Sequence, residues 1–190
     1  MITIIGVGAL GSHAALFLRN EKVGLKVVDF DRVEMKNTQA QFHTKMAMGK
    51  NKVQSLQQSF QGLFGIKVDI VPHKLTTDNA MTIFASSDLV IDCTDNMEAR
   101  RVIMETVKGT TIPCLHGALS AAGDFAQVIW TEHFKPDSES DEAGATCVDG
   151  EHLPFFSYAG AMLAMEAQSF LKTGKRRSFQ LTPMSISRVA

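Results

Sequence analysis

"ITIIGVGALGSHAALFLRN", residues 2–20, decides how the rest of the chain is read. Its opening, ITIIG, is a short β-branched apolar run that stops at a glycine, the pattern of a buried strand. From Ala9 onward, Leu10, Ala14, Phe17 and Leu18 recur at the spacing of one helix face. Between strand and helix stand Gly6, Gly8 and Gly11, a GxGxxG turn. Such glycines let the backbone turn tightly and approach a phosphate, which the helix N-terminus then holds. A tight turn without a ligand uses the same residues, so the motif points to phosphate and leaves the nucleotide open.

Outward from this stretch, strand and helix alternate. GLKVVDF (24–30) reads as a second strand, and residues 45–61, with Met48, Val53, Leu56 and Phe60, as a helix. IKVDIV (66–71) alternates as a strand does, and TTDNAMTIFASS (76–87) opens with helix-capping residues. DLVIDC (88–93) is a fourth strand, followed by a helix from Met97 to Val107. TTIPCLHG (110–117) and DFAQVIW (124–130) are strands five and six, and residues 155–172 form an apolar helix. KTGKRRSFQLTPMSI (172–186) reads as a basic turn with one last short strand. The alternation over the first 115 residues predicts an α/β fold, a Rossmann-like doubly wound and mainly parallel sheet with an antiparallel C-terminal extension. One domain is expected over 1–190, with 133–152 a flexible crossover loop and 175–190 a C-terminal strand and tail.

Composition narrows the function. With 45% hydrophobic residues the chain can bury a core, and a formal net charge of −1 offers no global field for nucleic acid or an anionic membrane. The apolar start, MITIIGVG, lacks a basic leader. No apolar run approaches the roughly 20 residues that span a bilayer. Cys93, Cys114 and Cys147 contain no CxxC pair, which argues against a disulfide framework and against zinc. A soluble cytoplasmic protein is the expectation.

Asp29 lies eighteen residues after Gly11, at the end of the second strand, where a dinucleotide site places its ribose-binding carboxylate. To that point an NAD-dependent oxidoreductase and an ATP enzyme stand level. Further along come Asp31, Asn37, Gln39 and Gln41, then GKNKV with Lys52, then DCTDN with Asp95 and Asn96. Asp95 falls just past the fourth strand, at the sheet edge where ligands of open α/β sheets bind, and a carboxylate there suits Mg²⁺ beside phosphates. Lys52 supplies a point charge and Asn37 neutral donors; hydride transfer needs neither the lysine nor a magnesium carboxylate. Taken singly, Lys52 is a solvated helix lysine, Asp95 a helix cap and Asn37 a turn former. Their order as a set carries the argument.

That set resembles the ThiF/MoeB/HesA family, adenylyltransferases related to ubiquitin-activating enzymes. The similarity runs from about residue 2 to 172, through GVGALGS, VVDFDRVEMKNTQAQ, GKNKV, LVIDCTDNMEARR, HGA and TCVDG…AGAMLAMEAQSFLKTGK. The resemblance implies ATP- and Mg²⁺-dependent activation of the C-terminal carboxylate of a ubiquitin-like or sulfur-carrier protein, by attack on the α-phosphate. It places Gly6, Gly8 and Gly11 against the nucleotide, with Asp29 on ribose hydroxyls and Asp31, Gln41 and Asn96 among the nucleotide-binding residues. It also puts Asn37 and Lys52 on phosphates and Asp95 on Mg²⁺. It gives Cys147 the role of a nucleophile that takes up the activated carboxylate, and it implies a homodimer. Cys93 and Cys114, inside strands, are expected in the core.

Two departures stand out. The family usually carries an arginine that reaches the ATP phosphates where this chain has Ala40, and a methyl group replaces none of a guanidinium's paired donors. Many bacterial members also begin with a helix that donates a second arginine, whereas this sequence opens directly on its first strand. Lys36, Lys45, Arg100 or a partner subunit would have to compensate. A degenerate subunit, binding ATP or a ubiquitin-like tail but needing a partner for catalysis, is therefore the alternative. The acidic PDSESDEAGATC segment (136–147) lies where relatives have a crossover loop over the partner's tail, and GKRR (174–177) reads as an exposed turn.

Overall fold

The computed structural model describes residues 1–135 and 150–189. Eight strands share one sheet: β1 (Ile2–Ile5), β2 (Leu25–Val28), β3 (Asp69–Val71), β4 (Leu89–Asp92), β5 (Cys114–Leu119), β6 (Ala126–Trp130), β7 (Ser178–Thr182) and β8 (Ser185–Val189). Their order is β3-β2-β1-β4-β5-β6-β7-β8. From β3 to β5 every pairing is parallel, and from β5 to β8 every pairing is antiparallel. The doubly wound half and its antiparallel extension are both present.

The helices are α1 (Ala9–Leu18), α2 (Asn37–Ala40), α3 (Lys52–Phe64), α4 (Thr77–Phe84), α5 (Met97–Lys108) and α6 (Leu153–Thr173). Ile2 and Ile4 of β1 pack with Leu18, Leu56, Phe60 and Leu163 of α1, α3 and α6. Ile5, Val28 and Val90 pack with Phe84 and Ile103 of α4 and α5. Adjacent residues of β1 thus feed two different cores, because strand side chains alternate between faces. Burying each large apolar side chain contributes about 1.5–3 kcal/mol. Among the described residues, no helix is long and apolar enough to cross a membrane.

Three elements differ from expectation. The helix expected over 45–61 begins at Lys52; Lys45–Ala47 makes a separate 3-10 turn. Gly49 at φ 77 breaks the path in the left-handed region, and Asn51 caps α3 by accepting the Val53 N–H at 2.9 Å. The single last strand is instead a hairpin, β7 and β8, paired from Ser178↔Val189 to Thr182↔Ser185. The third strand shrinks to three residues.

Two glycines are required by packing. Gly6 has φ 83, and a Cβ there would lie 2.8 Å from the Cys93 carbonyl oxygen. A Cβ at Gly11 would collide with the Gly6 carbonyl oxygen. The turn therefore lets α1 start directly against the end of β1. Because β1 lies between β2 and β4, that start sits at the switch point where an open α/β sheet forms its crevice.

Candidate functional site

At the carboxyl edge of the sheet, one cleft is lined by Gly6 and Gly8, Asp29 and Asp31, Lys52, and the Cys93–Asn96 turn. It encloses about 80 Å³, less than the ~300–1,000 Å³ of most ligand pockets, so a nucleotide would lie largely in its open mouth. Gly8 caps α1 without any side-chain acceptor for the first N–H groups of the helix. Asn51 and Asn96, by contrast, cap α3 and α5 with their side chains. Among the described residues nothing crowds Gly8: the nearest atom to a Cβ there would be Gln41 Nε2, at 3.9 Å. A bare helix start beside an open glycine is a surface that an oxyanion can approach closely. The donor set and the space fit a phosphate.

At the end of β2, Asp29 is held in place by the backbone. Its Oδ2 accepts the Val7 N–H at 2.8 Å and its Oδ1 the Asp31 N–H at 2.9 Å. Burial pushes this carboxyl above its ordinary range, against the pull of the Lys52 charge and the two backbone donors. Lys52 opens α3, is 8% exposed, and donates from Nζ to Asp31 Oδ2 at 3.0 Å. Asp31 is thus the anion that Lys52 holds, and a phosphate would compete with it.

At the end of β4, two aspartates divide their work. Asp92 is completely buried; its Oδ2 bonds His116 Nδ1 at 2.8 Å, and its Oδ1 accepts from Thr94 N–H at 2.9 Å and Thr94 O–H at 2.7 Å. Burial alone would raise its carboxyl, but the His116 bond and charge, with Arg100 and Thr94, hold it below the usual range. This pair fixes the turn that carries Asp95 and Asn96. Asn96 spends its Oδ1 on the Ala99 N–H at 2.8 Å, so the capping role falls to it and leaves Asp95 free of that duty. Asp95 is exposed in the cleft, with no hydrogen bond or ion pair among the described residues.

The remaining sequence-stretch residues scatter. Gly11 builds the turn and does not line the cleft. Asn37 is buried, its Oδ1 accepting the Glu34 N–H at 2.8 Å, and lies outside the cleft lining. Gln41 is also buried, next to Gly8, and its Oε1 has no hydrogen-bond partner among the described residues. Cys93 lies one residue past β4, packs against the core and also lines the cleft, and burial pushes its thiol well above its ordinary value. Cys114 is in the core as expected. Cys147 falls outside the described residues.

Ala40 is wholly buried in α2, and its carbonyl bonds His13 Nε2 at 3.2 Å. None of the cations proposed to compensate lines the cleft. Lys36 pairs with Glu34 at 2.9 Å, and Arg100 gives its guanidinium to the Thr94 carbonyl at 3.1 and 2.7 Å. Sequence reading missed His73, Lys74 and Leu75, which also line the cleft from the segment after β3. A non-periodic connector carries no pattern by which to find them. Asp92 and His116 did carry a signal: each is a polar residue inside an apolar strand run, and such groups need partners.

The ThiF family pattern matches residues 1–187. The chain belongs to the ThiF family. Its sequence is 32% identical over 176 residues to an adenylyltransferase and sulfurtransferase, MOCS3, of Aedes aegypti, covering 87% of this chain and 40% of that protein. It is 29% identical over 180 residues to the molybdopterin-synthase adenylyltransferase of Escherichia coli K12, covering 90% of this chain and 72% of that one. The chain spans about 40% of the length of the MOCS3 relatives from two mosquitoes. The crystal structure of E. coli MccB with ATP shares the fold at a TM-score of 0.76 and 15% identity, over 99% of this chain and 62% of that one. Ala40, where the resemblance leads one to expect an arginine, is buried in α2 and lies outside the cleft lining.

Proposed function

We propose that this ThiF-family chain adenylates the C-terminal carboxylate of a ubiquitin-like or sulfur-carrier protein with ATP. The observation that carries the reading is the convergence, in one cleft, of the uncapped α1 start at Gly8, the Lys52 ammonium and the uncommitted Asp95 carboxylate. The family assignment and the adenylyltransferase names of its relatives support it and count against the NAD-dependent reading.

In the reaction, a carboxylate oxygen of the carrier bonds to the α-phosphorus of ATP, and the bond from that phosphorus to the bridging oxygen breaks. The products are acyl-adenylate and pyrophosphate. Each chain residue has a positional task. Asp29, fixed by two backbone donors, presents lone pairs to ribose hydroxyls. The α1 N–H groups and Lys52 stabilise phosphate charge, Lys52 after releasing Asp31. Asp95 fits Mg²⁺, which is commonly held by one or two carboxylates plus substrate phosphates, and would there offset triphosphate charge. Among the described residues no cluster of three or more His, Cys, Asp or Glu side chains forms a metal cage, so phosphate oxygens would complete the coordination. A cytoplasmic homodimer completes the proposal.

ATP–pyrophosphate exchange with candidate carrier proteins tests it, with Asp95→Ala and Lys52→Ala each expected to lower exchange at least ~100-fold, the scale of losing a preorganised charge. No exchange with any candidate sinks the enzymatic reading. Acyl transfer to Cys147 would follow, its thiolate displacing AMP from the adenylate. Cys147→Ser should leave exchange intact and abolish a thiol-labile conjugate.

A second reading, a subunit that needs a catalytic partner, is favoured by the buried Ala40 and the committed Lys36 and Arg100. It predicts ATP binding by the isolated chain, with exchange appearing only when an arginine-supplying partner is added.

A further inference from the structure

The adenylation reading leaves the GKRR run unused. In the structure its arginines border a cavity of about 440 Å³, lined by Trp130, Glu132, His133, Arg176, Arg177 and Arg188 among others. Among the described residues it shares none of its lining with the nucleotide cleft. Trp130 ends β6, where it faces Leu115 near the start of β5, so the cavity lies toward the opposite edge of the sheet from the cleft.

The walls are built and largely fixed. Trp130 is buried and donates from Nε1 to Glu166 Oε1 at 3.1 Å. Glu166, itself buried, also accepts the Arg177 backbone N–H at 2.7 Å and Arg177 Nε at 3.1 Å, so its carboxylate is fully used. Arg176 pairs with Glu132 and lies 5.2 Å above the Trp130 ring and 5.4 Å from the Phe170 ring. Arg188 arrives from β8, opposite Phe179 in the hairpin register, and its guanidinium has no hydrogen bond or ion pair among the described residues. Among the described residues, three guanidinium groups line this cavity with one carboxylate, Glu132, while the buried and saturated Glu166 lies behind the lining. One cationic fork is left over beside an indole.

We infer that this cavity is a second ligand site, for a small oxyanion, phosphate or carboxylate, held by Arg188 and Arg176 against Trp130. Guanidinium forks match the planar spread of such oxygens, and Arg176 is already ordered over the ring. A single cavity with one uncompensated charge suits a small ligand; nucleic acid needs a longer basic track. The inference stands apart from the adenylation reading.

Trp130 is the only tryptophan of the chain, so its fluorescence reports on this cavity directly. The intact protein is titrated with inorganic phosphate and, separately, with citrate, each against sodium chloride of matched ionic strength. A saturable change with either anion and none with chloride is expected; the active anion tells a phosphate source from a carboxylate one. Arg188→Ala should weaken the response at least tenfold and Arg188→Lys less so, while ATP binding measured by calorimetry is unchanged. Lys52→Ala should do the reverse, weakening ATP binding and sparing the anion response. The site is overturned by a response no different from chloride, or by wild-type anion affinity in a thermally stable Arg188→Ala protein.

Discussion

The carboxyl ends of β2 and β4 each carry two aspartates, and the two ends use them differently. At β4, Asp92 is completely buried and answered on both oxygens, by His116 and by Thr94, while Asp95 has no partner among the described residues. At β2, Asp29 is partly exposed and answered by backbone donors, and Asp31 is tied to Lys52. The directions of titration follow: Asp92 lies below the ordinary carboxylate value and Asp29 above it. An acid compensated that completely is architecture. One that burial penalises, with part of its surface still open, gains from a further hydrogen-bond donor, which is what a ribose hydroxyl provides.

The sharpest way to break this contrast is Asp92→Ala. It strands His116 in the interior, and breaking a buried pair from one side costs about 3–5 kcal/mol, read as a drop in urea stability. A smaller loss would mean that the buried pair is not what holds the β4 turn.

Acid titration gives the next largest effect and concerns the β2 side. His43 is buried, bonded to the Val7 carbonyl at 2.9 Å, and burial lowers its pKa to about 4. The unfolded chain takes up this proton near pH 6.5, the folded protein only near 4, so stability present above 6.5 is lost as pH falls through that window. The loss is on the order of 3 kcal/mol at the acid end, and His43→Gln should flatten it. An unchanged acid limb in that variant would contradict the assignment.

Asp29→Ala should cost about 1–3 kcal/mol, because it leaves two backbone N–H groups without their acceptor, and it should weaken ATP binding as well. If it proves as destabilising as Asp92→Ala, the two ends are alike. Smallest of all is Asp31→Asn: its pair with Lys52 is half exposed on the acid side, so the change in unfolding free energy should stay below about 1 kcal/mol and shrink further in salt.

Much of this was legible beforehand, for physical reasons. The turn at residues 6–11 was readable because strand period, glycine and helix period meet there with no gap. Asp95 is legible at the sheet edge because strand ends are where apolar runs stop, whereas Lys52, inside the helix expected over 45–61, stands out only through its place in GKNKV. The start of α3 was misjudged because Met48 mimics helix spacing, although Gly49 and Asn51 together mark a break and a cap. The β7–β8 hairpin was read as one strand because its exposed second arm has no apolar face to announce it. Asp92 and His116 are harder to single out, because each lies inside an apolar strand run. A charge inside LVID and a histidine inside CLHG, on neighbouring strands, were each asking for the other.

The collision that a methyl group at Gly11 would make with the end of β1 has an evolutionary reading. Gly6 and Gly11 seat the first helix on the central strand, whereas a Cβ at Gly8, which opens toward the cleft, would meet no atom of the described residues closer than 3.9 Å. Selection for a folded chain alone therefore preserves the first and third glycines of the motif, and a descendant that had shed its chemistry would be free to lose the second.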